Sequence, residues 1–132
     1  MGAIAIGRTL AVLAVAIACV AACGHAAAPT SGPEQLNGIS ASQAVDAITK
    51  AGLQAPNRRD VTAQKCQELN CVQAVDTDTV SVIKFPTTGI AQKYEASARN
   101  VYVVEDLVLS FPEGLPLDRQ RQYEDVVAKL AA

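Results

Sequence analysis

Apolar and polar positions fall into three regimes along this chain. Leu10 to Ala22 is an unbroken run of 13 apolar residues, and Gly24 to Asn37 has no period at all. From Ser40 onward, apolar residues recur at the spacings of helices and strands. Ser40 and Gln43 stand three apart as a capping box does, and Ala44, Val45, Ile48 and Ala51 follow on one helical face. Gly52 suits the left-handed position after that helix, with Leu53 folding back on it, and Pro56 stops any continuation. Residues 55–69 show no clear period and read as an ordered loop. Val72–Thr77 and Thr79–Phe85 are rich in β-branched residues on either side of a polar Asp76-Thr77-Asp78 cluster, which predicts a hairpin. Pro86-Thr87-Thr88-Gly89 then caps a helix with Ala91, Tyr94 and Ala98 at core spacing, closed by Asn100.

Val101 to Phe111 reads as the strongest strand. Val101, Val103, Leu107, Leu109 and Phe111 would share one face, with Glu105 as an exception suggesting an edge or a bulge. After Pro112 to Pro116, Tyr123, Val126, Val127 and Leu130 follow the spacing of a docking helix. The expected order is α-β-β-α-β-α in a single α+β domain over residues 39–132. The third strand is expected beside the first, in a small three-stranded antiparallel sheet with the helices packed on one face.

The leader changes the picture from a fold to an address. Of the first 23 residues 19 are apolar, Arg8 is the only charged side chain, and the apolar run is too short to span a bilayer. Residues 1–22 therefore read as an export signal peptide. Val20-Ala21-Ala22-Cys23-Gly24 resembles the lipobox of bacterial lipoproteins: an aliphatic residue, two small residues and a cysteine. The resemblance implies cleavage after Ala22 and attachment of a lipid anchor, palmitate or a related acyl chain, to Cys23. Ala16-Ile17-Ala18-Cys19 fits the same pattern loosely, which keeps Cys19 as a rival. Residues 23–38 then read as the lipidated cysteine and a flexible tether, since a Gly-, Ala- and Pro-rich stretch cannot bury enough surface to offset its ordering entropy. His25, the only histidine, lies in this tether.

Two cysteines remain, Cys66 and Cys71. In an exported chain they are expected to form a disulfide, because the compartment is oxidising and no histidine lies near them to complete a metal site. The leader, the tether, the cysteine pair and the run Asp78-Thr79-Val80-Ser81-Val82-Ile83-Lys84-Phe85-Pro86-Thr87-Thr88-Gly89 together resemble small lipoproteins of mycobacteria and related actinobacteria. The resemblance implies attachment to the outer face of the cytoplasmic membrane, in the cell envelope, and carries no activity with it.

Net charge is −2 for the whole chain and about −3 without the leader, which argues against a nucleic-acid partner. Nucleophilic catalysis needs a base, and the domain holds no histidine to serve one. Three carboxylate pairs stand out: Asp76 with Asp78, Glu105 with Asp106, and Glu124 with Asp125. The first suits a polar turn better than a calcium loop, and the third suits the wet face of the last helix. Glu105 and Asp106 interrupt the best strand and are the most unusual, but guarding a strand edge explains them more simply than acid–base chemistry. Arg58, Arg59 and Lys65 form a basic group suited to anionic headgroups or an acidic partner. No catalytic, cofactor or metal residue is assigned. The expected function is a non-enzymatic envelope module that binds a protein or glycan. The alternatives are a small hydrolase or transferase using carboxylates such as Glu105 and Asp106, and a peptidoglycan-binding module suggested by the helix from Ser42 to Gly52.

Overall fold

The computed structural model describes residues 37–132. The expected export signal and tether, with Cys19, Cys23 and His25, lie outside the described residues. Nine elements follow in order: α1 (Ala41–Lys50), β1 (Arg59–Asp60), α2 (Thr62–Leu69), β2 (Gln73–Asp76), β3 (Ser81–Lys84), α3 (Thr88–Ser97), β4 (Val101–Val104), β5 (Leu107–Ser110) and α4 (Leu117–Ala131). The α+β class and the antiparallel sheet agree with the sequence. The strand count does not: the sheet has five strands, ordered β1-β2-β3-β5-β4, with every neighbouring pair antiparallel.

Two corrections account for the extra strands. Val101–Phe111 is not one strand but a hairpin, turned through Glu105 and Asp106 between the paired residues Val104 and Leu107. Glu105 adopts φ 55, the left-handed conformation that a two-residue hairpin turn needs and that Asn or Gly fills at lower cost. Its register sets Val103 opposite Val108, so Val101 and Val103 face the other way from Leu107 and Leu109. The second correction is in residues 55–69, where β1 and α2 replace the expected loop. A two-residue strand is too short to show a period, and α2 buries none of its residues fully, which left it without a hydrophobic stripe.

The pleat sends alternate residues to two cores. Val75, Val82 and Leu109 stand side by side across β2, β3 and β5 and pack under Ala41, Ala44, Val45 and Ile48 of α1 and Tyr123 and Val127 of α4. Ala74, Ile83 and Val108 form the opposite row, beneath Cys66 and Leu69 of α2 and Ala91 and Tyr94 of α3. The helices therefore cover both faces, not one. β3 and β5 sit between two helical layers, which is why Val82 and Ile83, successive residues of β3, are both buried. The third expected strand also lands elsewhere: its second half pairs with β3, not with the first strand of the hairpin.

Local signals that need no tertiary context hold. Ser40 caps α1, its hydroxyl accepting from Gln43 N while the Gln43 side chain accepts from Ser40 N. Gly52 sits at φ 81, and the Leu53 N–H donates back to the Ile48 carbonyl at 3.1 Å, closing the helix end. Thr87 caps α3. Cys66 and Cys71 are joined by a disulfide, tying the last turn of α2 to the approach of β2 around Asn70 in the left-handed conformation.

Candidate functional site

The most unusual chemistry lies at one end of the sheet, where the chain enters the fold. Lys84 is the last residue of β3 and points to the face covered by α1, in the same pleat direction as Val82. Its side chain is 3% exposed, and that of its partner Asp106 in the β4–β5 turn is 0% exposed. The ammonium donates its three protons to Asp106 Oδ1 at 2.7 Å, to Asn37 Oδ1 at 2.7 Å and to the Asn37 carbonyl at 2.9 Å. Asn37 in turn donates from Nδ2 to Asp106 Oδ1 at 3.0 Å and to Glu105, while its Oδ1 accepts the Ile39 N–H. Asp106 Oδ2 is buried without a hydrogen-bond partner among the described residues.

This arrangement follows from the hairpin. The β4–β5 turn abuts the end of β3, where the Phe85 N–H donates to the Asp106 carbonyl at 2.8 Å, so the Asp106 side chain arrives beside Lys84. A buried ammonium needs a compensating charge and a full set of acceptors. Here all three of its protons are committed, so Lys84 acts as a clasp that holds Asn37 and the turn together. It has no free proton or lone pair to offer a substrate.

Beside the clasp is a cleft of about 420 Å³, lined by Gly38, Ile39, Ser40, Asp60, Thr62, Val72, Gln73 and Lys84. Its lining comes from the entry to α1, the β1–α2 junction, the start of β2 and the end of β3. Most of its polar groups are internally paired. Gln73 accepts from Ser42 N and donates to Ser42 Oγ at 3.2 Å each, and Ser40 is spent on its cap. The Thr62 N–H donates to Asp60 Oδ1 at 2.9 Å. Hydrogen bonds from the Thr62 side chain and backbone hold the Asp60 carboxyl below the usual carboxylate range, against a small desolvation cost and helped by Arg58. Val72 lies in the cleft at 46% exposure. The cleft thus offers an apolar patch and one ionised acceptor.

The residues singled out from the sequence are placed as follows. Glu105 and Asp106 come together as the turn of the hairpin, with Asp106 sealed inside. Asp76 and Asp78 part company. Asp76 accepts from Lys65 Nζ at 2.6 Å and Ser81 Oγ at 2.7 Å, whereas Asp78 accepts from Asn57. Partial burial raises the Asp76 carboxyl, but those two hydrogen bonds and the charges of Lys65 and Arg59 outweigh it, and the net shift is downward. Glu124 is pushed up, first by desolvation and then by Asp125, with Arg121 opposing. The basic group is divided: Arg58 pairs with Asp46 on α1 and Lys65 pairs with Asp76 below α2, on opposite faces of the sheet.

Sequence reasoning missed Lys84, Asn37 and Asp60. One signal was legible for Lys84, since a lone lysine inside Val-Ile-Lys-Phe must either face solvent or find a buried counter-charge. Asn37 was assigned to the tether, yet its side chain is part of the fold. Among the described residues no group of three His, Cys, Asp or Glu is placed to hold a metal ion, and no helix is long and apolar enough to cross a membrane. No known protein family, no curated protein and no solved structure matches the chain.

Proposed function

We propose that this chain is an envelope lipoprotein anchored through Cys23, and that its folded domain acts by binding a ligand in the cleft beside Asn37. The observation that carries the reading is the position and lining of that cleft. Gly38, Ile39 and Ser40 line it immediately before α1. Its volume is that of a small-ligand site. One ionised carboxylate beside apolar surface suits a hydroxyl- or amide-bearing donor, such as an envelope glycan or the peptide of peptidoglycan. The rival reading, carboxylate catalysis by Glu105 and Asp106, is weakened because Asp106 is fully buried and spent on Lys84, and neither residue lines the cleft.

The test uses the full-length chain in its membranes. A photoreactive residue at Val72, in the cleft and 46% exposed, is expected to give one discrete adduct, while the same group at Leu130, 38% exposed on α4, gives none. Asp60→Arg should abolish the Val72 adduct, and Cys23→Ala should release the protein from the membrane. Equal labelling from both positions overturns the cleft as a binding site. An unchanged membrane fraction for Cys23→Ala overturns the anchor.

A further inference from the structure

A buried ion pair needs acceptors for its ammonium and donors for its carboxylate, and many polar groups could serve. The cluster at the end of β3 meets that need in an unusual way. Two of the three acceptors of Lys84 Nζ belong to one residue, Asn37, and one of these is its side-chain carbonyl oxygen Oδ1, at 2.7 Å. A primary amine and a carboxamide are thus held in contact inside the fold, beside an Asp106 side chain that is 0% exposed. Asp106 Oδ1 touches both: it accepts from Lys84 Nζ at 2.7 Å and from Asn37 Nδ2 at 3.0 Å. Asp106 Oδ2 is buried without a partner among the described residues, a cost that charge pairing alone does not explain. The Ile39 N–H donates to Asn37 Oδ1 at 3.0 Å. A nucleophile, a proton carrier and an oxyanion donor therefore converge on one carboxamide.

We propose that Lys84 and Asn37 become joined by an amide bond between Nζ and Cγ, with release of ammonium, and that Asp106 is the catalytic residue of this step. A proton passes from the Lys84 ammonium to Asp106 Oδ1 along their hydrogen bond, which frees the lone pair of Nζ. That lone pair attacks Asn37 Cγ, and the carbonyl electron pair moves onto Oδ1, where the Ile39 N–H stabilises the negative charge. Asp106 delivers its proton to Nδ2, the electron pair on Oδ1 returns, and the Cγ–Nδ2 bond breaks. The surplus proton on the new amide nitrogen passes through Asp106 to the departing ammonia. One C–N bond forms, one breaks, nothing is oxidised or reduced, and ammonium carries away the charge of Lys84. The fold supplies the proximity and excludes the water that would otherwise compete for the carboxamide. Asp106 is the poorer electrophile: if it took the amine, no carboxylate would remain against Lys84 to carry the proton, since Glu105 bonds to Asn37 instead. The reaction is a single event within one chain, in keeping with an Asp106 that no external substrate reaches. The clasp is its reactant state, and the bond closes a covalent ring over the 47 residues from Asn37 to the central strand. The inference is independent of what fills the cleft.

Peptide mass spectrometry of the full-length chain, unfolded and reduced before digestion with trypsin, reads the bond directly. The expected result is one linked species that joins the peptide containing Asn37 to the peptide containing Lys84. It should be lighter than the two together by one ammonia, with no cleavage after Lys84, because an acylated lysine is not a tryptic site. Asp106→Asn keeps the size of the side chain but not its ability to carry the proton. With a circular dichroism spectrum matching that of the natural chain, this variant should form the link at least about a hundredfold more slowly after synthesis, the contribution of a positioned general acid–base. Should Asp106→Asn fail to fold, the linked peptide of the natural chain decides by itself whether the bond exists. Complete cleavage after Lys84, with both peptides at full mass, overturns the proposal. Loss of ammonia confined to Asn37 and Gly38, as a cyclic imide that hydroxylamine cuts, overturns it too, and so does a link from Lys84 to Asp106 with loss of water. A link that forms as fast in a folded Asp106→Asn chain is equally fatal to it.

Discussion

Among the described residues, Asp106→Ala removes the only carboxylate in direct contact with an ammonium that is 3% exposed. After truncation, Lys84 would keep two bonds, both to neutral oxygens of Asn37. Glu105 reaches the cluster through Asn37. Breaking one side of a buried ion pair costs about 3–5 kcal/mol, because the other charge is left desolvated. A domain of this size has a total stability of about 5–10 kcal/mol, so a third or more of it would be lost. The corresponding fall in melting temperature is at least about 12 °C, at about 4 °C or more per kcal/mol for fewer than 100 residues. Urea unfolding followed by circular dichroism measures the free energy, and an unchanged slope against urea shows that the denatured state is not the cause. The decisive control is the same truncation in a Lys84→Met background. With no ammonium to strand, Asp106→Ala should cost about 1 kcal/mol or less there, giving a coupling of about 2–4 kcal/mol between the two sites. If Asp106→Ala costs under about 1 kcal/mol in the natural chain, or costs the same in both backgrounds, the clasp is not what holds the turn and the chain entry together.

Other outcomes follow from the same structure. Replacing both Cys66 and Cys71 by Ala should lower stability by about 2 kcal/mol without preventing folding, the loop-entropy value for so short a ring, measured by the same urea titration. Ser40→Ala removes the hydroxyl that accepts from Gln43 N and should cost about 1 kcal/mol, whereas Ser40→Asp should cost almost nothing. Asp76 has a folded-state carboxyl below its ordinary value, so its contribution is complete above the ordinary aspartate range and lost as pH falls through the folded value. The melting temperature of Asp76→Asn should therefore fall less steeply in acid than that of the natural chain. A parallel fall in both would assign the acid sensitivity elsewhere.

Much of the fold was legible because its signals are local. The Ser40–Gln43 box, Gly52 with Leu53, the hairpin around Asp76-Thr77-Asp78 and the Thr87 cap each operate within a few residues, and each occupies its expected place. The spacing of Tyr123 and Val127 marked the buried face of α4, though Leu130 emerges 38% exposed. The disulfide was legible from composition, since only two cysteines follow the tether. Helix α2 was not, because a helix that contributes only Cys66 and Leu69 to a core written mostly by other elements carries too weak a period.

The sequence by itself marked α1, the β2–β3 hairpin, α3 and α4 through local signals, and it led to the expectation of a leader ahead of one folded domain. Tertiary structure decided everything that depends on which face a residue meets. Apolar residues run continuously through Val82-Ile83 and through Leu107-Val108-Leu109, and such runs signal burial without saying that helices cover both sides of the sheet. Glu105 and Asp106 read as an interruption. Whether an interruption is a bulge, a guarded edge or a turn depends on whether the strand after it folds back, a choice made by the pairing of β5 with β3. The same pairing carries Asp106 to Lys84 across 22 residues of chain and closes Asn37 over both, 47 residues before Lys84. No local pattern encodes that meeting, because the energy that selects it is the cost of leaving a buried ammonium uncompensated, and burial exists only once the sheet has formed.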